Sequence, residues 1–310
     1  MDENHQREVV LRTRGLSKKF GKRWAVKDLN LEVLRGDVFG FVGPNGAGKS
    51  TTIRMILTLL RPTAGSVEIF GKDLRENRRR VLSRVCGIVE KPDFYLYLSA
   101  FKNIEIFGSM TRRVKGDEIL ETLEVVGLKS RAFEKVKTFS HGMKQRLGIA
   151  QVLLTKPDLI ILDEPTAGLD PQGMKEVREL ITRLSMEREM TIFLSSHLLF
   201  EVESVATRMA VINRGELIVQ GPVSDLIGTG TNDFSIQVSA LEQAVKLIKE
   251  LSWVEILSAR NGRIEVRVAS GRSSELNRLL VLNHVEVSSL YPRSPLEEYF
   301  LKITEGASEI

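Results

Sequence analysis

Several short clusters in this sequence pair residue types with spacings that can do chemistry. Gly43-Pro44-Asn45-Gly46-Ala47-Gly48-Lys49-Ser50, followed by Thr51, fits the pattern GxxxxGK plus Ser or Thr. Glycines there let the backbone wrap a triphosphate with its N–H groups, and the positive end of the following helix adds to the attraction. Lys49 is expected to reach the β- and γ-phosphates and Ser50 to ligate Mg²⁺. A glycine-rich turn without a ligand is the plainer reading of the same residues. A second cluster, Leu159-Ile160-Ile161-Leu162-Asp163-Glu164, is an apolar run that ends in two acids. It reads as a buried strand carrying carboxylates to a sheet edge, where Asp163 is placed for the Mg²⁺ shell and Glu164 to polarise a water for in-line attack. A strand followed by a solvated acidic turn competes with that reading.

Positioning these groups calls for an α/β framework. Short β-branched runs alternate with helical patterns. Asp37–Val42 precedes a helix from Lys49, Leu159–Leu162 a helix from Met174, and Met190–Leu194 a helix from Leu198. That alternation predicts a mainly parallel core sheet. The pattern breaks near Gly221–Thr231, where glycines, a proline and small polar residues cluster, so the chain is expected to divide into domains 1–226 and 227–310. The second region reads strand Phe234–Val238, helix Leu241–Leu251, strand Val254–Ser258, turn Asn261–Gly262, strand Arg263–Val268, helix Ser274–Leu282 and strand Val285–Leu290. This is the order of a small α+β ferredoxin-like unit. The Asn-Gly pair between two alternating runs is its best hairpin signal. The region carries no catalytic cluster.

The chain has 310 residues, 42% hydrophobic and 27% charged, a composition that excludes disordered and fibrous classes. Its longest apolar stretches, such as Leu159–Leu162 and Met55–Leu60, fall far short of the roughly 18–20 residues that span a bilayer. Met1–Arg14 has mixed charge and no apolar core of a signal peptide, so a cytoplasmic protein is expected. The single cysteine, Cys86, agrees with a reducing compartment and reads as a small buried hydrophobe. A net charge of +5 is small and spread along the chain, and the densest basic run, Arg78–Arg80, reads as a solvated helix face. Nucleic acid is therefore not an expected partner.

Phe139-Ser140-His141-Gly142-Met143-Lys144-Gln145-Arg146 resembles the signature sequence of ATP-binding cassette (ABC) ATPases, usually written LSGGQxQR. His141 and Met143 depart from that consensus, and the form SxGM resembles the variant of drug-exporter branches. Other family elements occur in order. Ala167-Gly168-Leu169-Asp170 is similar to the D-loop, and His197, at the end of an apolar strand, to the switch histidine that contacts the γ-phosphate. Phe20 resembles the aromatic residue that stacks on adenine, with ordinary core packing as the alternative. The resemblance covers about Val9 to Leu226. Where the Q-loop glutamine should stand, Glu90 opens Glu90-Lys91-Pro92-Asp93-Phe94-Tyr95, a form similar to that of peptide-antibiotic exporter and immunity ATPases. Ser294-Pro295-Leu296-Glu297-Glu298-Tyr299-Phe300 resembles the C-terminal extension of the same group.

The resemblance implies an ATPase with ATP and Mg²⁺ as ligands. It implies that Glu164, His197 and Lys49 act on the nucleotide, that Ser50, Asp163 and Glu90 stand near the metal, that Asp170 belongs to the nucleotide site, and that Ser140 and an exposed Gly142 N–H serve across a dimer. Two copies, or this chain and a related cassette, are expected to close head-to-tail. A helical subdomain at about 91–138 would couple closure to an integral-membrane permease, with Phe94 and Tyr95 either in the docking groove or in the subdomain core. The short stretch between Glu90 and Ser140 argues against the coiled-coil members of the family. A non-transport regulatory ATPase and an importer subunit are the alternative functions.

Overall fold

The structure, a computed structural model, describes residues 7–188, 190–227, 233–292 and 300, with the side chains of 188 and 227 excepted. The chain divides into two compact units, 1–223 and 224–310.

The first unit is organised by a six-stranded sheet. Its central strands run in the order Arg208–Asn213, Val38–Val42, Thr191–Ser196, Leu159–Leu162 and Val85–Ile88, all parallel, and Glu216–Pro222 adds an antiparallel edge. Val38–Val42, Leu159–Leu162 and Thr191–Ser196 are buried at every position, as strands covered on both faces must be. Phe39 and Phe41 each pack against Phe193 at a centroid separation of 5.5 Å, which locks the two central strands together. A second, antiparallel sheet contains Val9–Phe20, Arg23–Leu29, Glu32–Leu34, Ala64–Ile69 and Lys72–Asp73. Its inward residues Leu11, Leu16, Val26 and Ile69 share one core with Phe39, Phe41, Ile53 and Ile161.

The register of the parallel strands sets the function of their ends. Val42 lies opposite Ser196, Leu162 opposite Leu194, and Ile88 opposite Leu162. The glycine-rich loop, His197, the Asp163-Glu164 pair and Glu90 therefore leave one edge side by side. The helix expected from Met174 begins earlier and runs Pro171–Arg188. Proline is suited to a first helical position, because its fixed φ matches the helix and its missing N–H would have no partner there.

Segment 91–138 contains helices Ala100–Ser109 and Gly116–Val125 and the short 3₁₀ turns Lys129–Arg131 and Val136–Thr138. Ser99 caps the first of these helices, its side chain accepting from the Lys102 amide. Near the expected interdomain break, Gly221 and Pro222 close the edge strand and Val223–Ile227 forms a helical turn. Proline is tolerated at that edge because its missing donor has no ladder to serve. Residues 228–232 of that break and the segment from Ser294 to Tyr299 lie outside the described residues.

In the second unit Asp233–Val238, Val254–Arg260, Arg263–Val268 and Val287–Pro292 form one antiparallel sheet. Taken as strands one to four, they lie in the order 2-3-1-4, the ferredoxin-like topology. Helices Leu241–Lys249 and Ser273–Leu282 contribute Ala244, Ile248, Leu276 and Leu280 to its core. Asn261 and Gly262, at φ 52° and 75°, make the tight turn that the Asn-Gly pair predicts.

Candidate functional site

A cavity of about 460 Å³ opens over the glycine-rich loop and is lined by Phe20, Arg23, Asn45, Lys49, Ser50 and Glu164 among others. Its volume suits a nucleotide-sized ligand. Gly46 and Gly48 have φ of 77° and 110°. At Gly48 a side chain is excluded twice over, since a Cβ would also sit 2.5 Å from the Ala25 carbonyl oxygen. Helix Lys49–Ile56 starts at this turn, so its first amides face the cavity end of the loop.

Lys49 is buried, and its Nζ donates to the carbonyl oxygens of Gly43 at 2.7 Å and Pro44 at 3.2 Å. It also lies 3.2 Å from Glu164 Oε1. The other oxygen of Glu164, Oε2, is 2.9 Å from His197 Nδ1. A carboxylate accepts, so Nδ1 carries the proton in this contact and Nε2 is free for other work. Glu164 is thus gripped from both sides, by an ammonium and an imidazole. Its backbone is held too. It sits at φ 48°, a left-handed conformation uncommon for glutamate, and its N–H donates to Ser195 Oγ at 2.9 Å. The same Ser195 hydroxyl donates to Asp163 Oδ1 at 2.6 Å. One serine therefore orients both acids.

Glu90 stands apart. Its strand neighbours the acid strand, and Asp163 N–H donates to the Ile88 carbonyl at 2.9 Å, yet the Glu90 side chain is 69% exposed. It forms an ion pair with Arg54 on the helix that follows the glycine-rich loop and does not line the cavity. Glu90 also has a left-handed backbone, at φ 70°.

Phe20 lines the cavity and is half exposed, so the core-packing alternative for it falls. Lys18 Nζ lies 5.2 Å from the centroid of its ring, a cation–π contact. Arg23, paired with Phe20 in the antiparallel register, joins the lining.

Ser140, Gly142 and Asp170 are not part of this lining. Ser140 caps helix His141–Leu154, its Oγ accepting from Met143 N–H at 3.2 Å while its own proton stays available to donate. As a whole residue Gly142 is buried in the single chain, where the sequence expectation concerned its N–H. A Cβ on it would meet Gly173 Cα at 3.1 Å, so this glycine also serves a close helix-to-helix approach. The first-turn amides of His141 and Gly142 still have no intrahelical acceptor. Asp170 is exposed and precedes helix Pro171–Arg188, its carbonyl accepting from Met174 N–H at 2.9 Å.

Phe94 is buried, whereas Tyr95, Leu96 and Tyr97 are 49%, 47% and 67% exposed, with the two tyrosine rings edge to face. Of the two aromatic candidates for docking, Phe94 takes the core role. Tyr97 and Leu96 were not singled out by the sequence. Cys86 is half-buried, and desolvation pushes its thiol pKa up, away from the low values of reactive cysteines.

Among the described residues no group of three or more His, Cys, Asp or Glu side chains could hold a metal on its own. No helix there is long and apolar enough to cross a membrane.

Residues 26–167 match the family model for "ABC transporter". The bacitracin transport ATP-binding protein BcrA of Bacillus licheniformis is 41% identical over 97% of this chain and 99% of its own length. The lantibiotic transport ATP-binding protein SrtF of Streptococcus pyogenes is 43% identical over 68% of this chain and 90% of its own. Among solved structures, CbiO1 from Clostridium perfringens, part of the ABC transporter complex CbiONQ, superposes with a TM-score of 0.65 at 26% identity, covering 79% of this chain and 96% of that one.

Proposed function

This chain belongs to the ATP-binding subunits of ABC transporters and is an ATPase of that class, and we propose that it powers export of a peptide-like antibiotic or related amphiphile through a separate membrane permease. The cargo class rests on the relatives named for bacitracin and lantibiotic transport and on the Glu90 form of the Q-loop. The observation that carries the catalytic reading is the position of Glu164, held between Lys49 and His197 at the mouth of the phosphate loop.

In this mechanism the adenine stacks on Phe20, and the phosphates lie along residues 43–51 with Lys49 at their distal end. Glu164 accepts the proton of the attacking water, and the two groups holding its carboxylate keep its oxygens in place while charge develops. His197 offers its Nε2 side to the γ-phosphate. Ser50 and Asp163, an alcohol and a carboxylate, are hard oxygen donors of the kind that would hold a Mg²⁺ ion. That ion, when bound, neutralises the charge of the β- and γ-phosphates. The Ser140 hydroxyl and the free amides of His141 and Gly142 form an anion-binding helix start for the γ-phosphate of the opposite copy, with Asp170 beside it. Closure would reach the permease through segment 91–138, where exposed Tyr95, Leu96 and Tyr97 suit an apolar partner helix. The subunit would then sit on the inner face of the membrane through that permease.

Mixing two inactive variants tests the shared sites. Lys49→Ala and Ser140→Arg subunits should each be inactive alone, whereas a mixed dimer retains one intact site and should regain part of the ATPase rate. If the mixture stays as inactive as its components, the head-to-tail arrangement is wrong.

A further inference from the structure

Glu201 is a buried carboxylate that the mechanism above leaves without a role. It lies on the short helix Leu199–Glu203, is only 5% exposed, and pairs with no Lys, Arg or His among the described residues. Taking such a group out of water without a cation is costly, so its surroundings must give it a use. Its Oε2 accepts from the Thr166 hydroxyl at 2.7 Å and from the Ser196 hydroxyl at 2.8 Å, while Oε1 is buried with no hydrogen-bond partner.

The two hydroxyls belong to the two loops that carry the catalytic pair. Thr166 lies two residues after Glu164, and its carbonyl accepts from Leu169 N–H at 3.2 Å inside the turn that leads to Asp170. Ser196 immediately precedes His197, and its Oγ also accepts from Leu198 N–H at 3.0 Å, so the chain is pinned on both sides of the histidine. Because His197 Nδ1 meets Glu164 Oε2 at 2.9 Å, the contacts close a ring: Glu164 to Thr166 along the chain, then Glu201, Ser196, His197 and back to Glu164.

We propose that Glu201 is a positioning residue for ATP hydrolysis, tying the turn after Glu164 to the strand end bearing His197 so that the two move as one unit. A shift of the Ala167–Asp170 turn when two copies close is then passed through Thr166 and Glu201 to Ser196 and the histidine. Glu201 touches neither nucleotide nor water in this scheme. The inference rests on the assignment of Glu164 and His197 given above.

The test measures kcat and ATP affinity separately in the full-length chain. Thr166→Val and Ser196→Ala each delete one donor with little change of volume, and Glu201→Ala deletes the acceptor. Glu201→Ala should lower kcat about ten- to a hundred-fold, the range seen when partners that orient metal-ligating side chains are removed, with ATP affinity within about twofold, since the phosphate loop is untouched. Combined with Thr166→Val it should cost little more than alone, because both break the same ring. Glu201→Gln, which keeps an acceptor for the two hydroxyls, should recover part of the rate. Should Glu201→Ala fail to fold, the Thr166→Val/Ser196→Ala pair carries the test. Wild-type kcat in that pair, losses that simply add, or affinity falling in step with kcat would overturn the proposal. His197→Ala in the same assay separates the two levels. If it turns over normally, the site assignment fails. If it is inactive while the paired hydroxyl variant is fully active, only the link through Glu201 fails.

Discussion

Two glutamates end neighbouring parallel strands of this molecule, both with left-handed backbones, and they are held in opposite ways. Glu164 follows Leu159–Leu162 and is fixed at its amide by Ser195, at one oxygen by Lys49 and at the other by His197. Glu90 follows Val85–Ile88, is mostly exposed, and meets one partly exposed partner, Arg54. A group that must accept a proton at a defined point needs preorganisation, because reorganising it during the reaction would add to the barrier. A group that senses whether a subdomain has moved must itself be able to change partners. The same residue type, one strand apart, is thereby fitted to two tasks.

The comparison predicts its largest effect at Glu164. Glu164→Gln keeps the side chain's shape but cannot take the proton from water, and the general-base contribution of about 10²–10⁴-fold in rate should be lost. Nucleotide binding should persist, and Mg-ATP should then trap a dimer on size-exclusion chromatography. Turnover at the wild-type rate would remove Glu164 from the base role and erase the contrast with Glu90.

A smaller effect is expected at the far end of the cavity. Phe20→Ala should weaken ATP binding by about 1–3 kcal/mol, if the stacking values measured for bases on aromatic side chains apply to adenine here. Phe20→Tyr should restore it. Fluorescent-nucleotide titration reads this directly, and unchanged affinity in the alanine variant would leave Phe20 without a nucleotide contact.

Ser195 sharpens the comparison from the side of stability. Its hydroxyl is fully buried between Asp163 Oδ1 and the Glu164 amide. Ser195→Ala should leave both groups unsatisfied and cost about 1–3 kcal/mol of folding free energy. Thermal unfolding should show this as a lowered midpoint, with a fall in kcat beyond what residual folding explains. A variant as stable and as active as wild type would mean that Glu164 is not held by its amide.

Much of the catalytic unit is legible in the sequence because its groups follow one another along the chain. The phosphate loop and the acid pair each sit directly after an apolar run, and the histidine follows one after only two serines; a buried parallel strand reads as such a run. The ferredoxin-like unit is legible for another reason, since Asn261-Gly262 fixes one hairpin and the remaining strands and helices follow in order. The partners that hold the site were not legible. Ser195, Glu201 and Arg54 act across the sheet, and their neighbours in sequence carry no sign of it. Glu201 sits in a stretch, Phe200-Glu201-Val202-Glu203, that gives no hint which glutamate is buried. The buried Gly142 likewise depends on Gly173, far along the chain, and no local pattern tells an exposed amide from a packed backbone.

The smallest expected effect concerns the Arg54–Glu90 pair, and it separates the two glutamates most directly. Both side chains are substantially exposed, 43% for Arg54 and 69% for Glu90, so water screens their attraction and ordering two long side chains offsets part of it. A double-mutant cycle of Arg54→Ala and Glu90→Ala in urea unfolding should give a coupling of about 0.2–1 kcal/mol, as exposed pairs do. Raising the salt to about 1 M, where the screening length is about 3 Å, should remove most of it. The functional reading of Glu90 points the other way in size. Because the phosphate loop and Lys49 grip the nucleotide, Glu90→Ala should leave ATP affinity and basal stability nearly unchanged while sharply reducing ATPase stimulation by the permease. Arg54→Ala should free the carboxylate without removing it, so stimulation should persist in that variant. A salt-resistant coupling well above 1 kcal/mol would mean that Glu90 is held as firmly as Glu164, and a Glu90→Ala subunit with full permease-stimulated ATPase would deny it the sensing role.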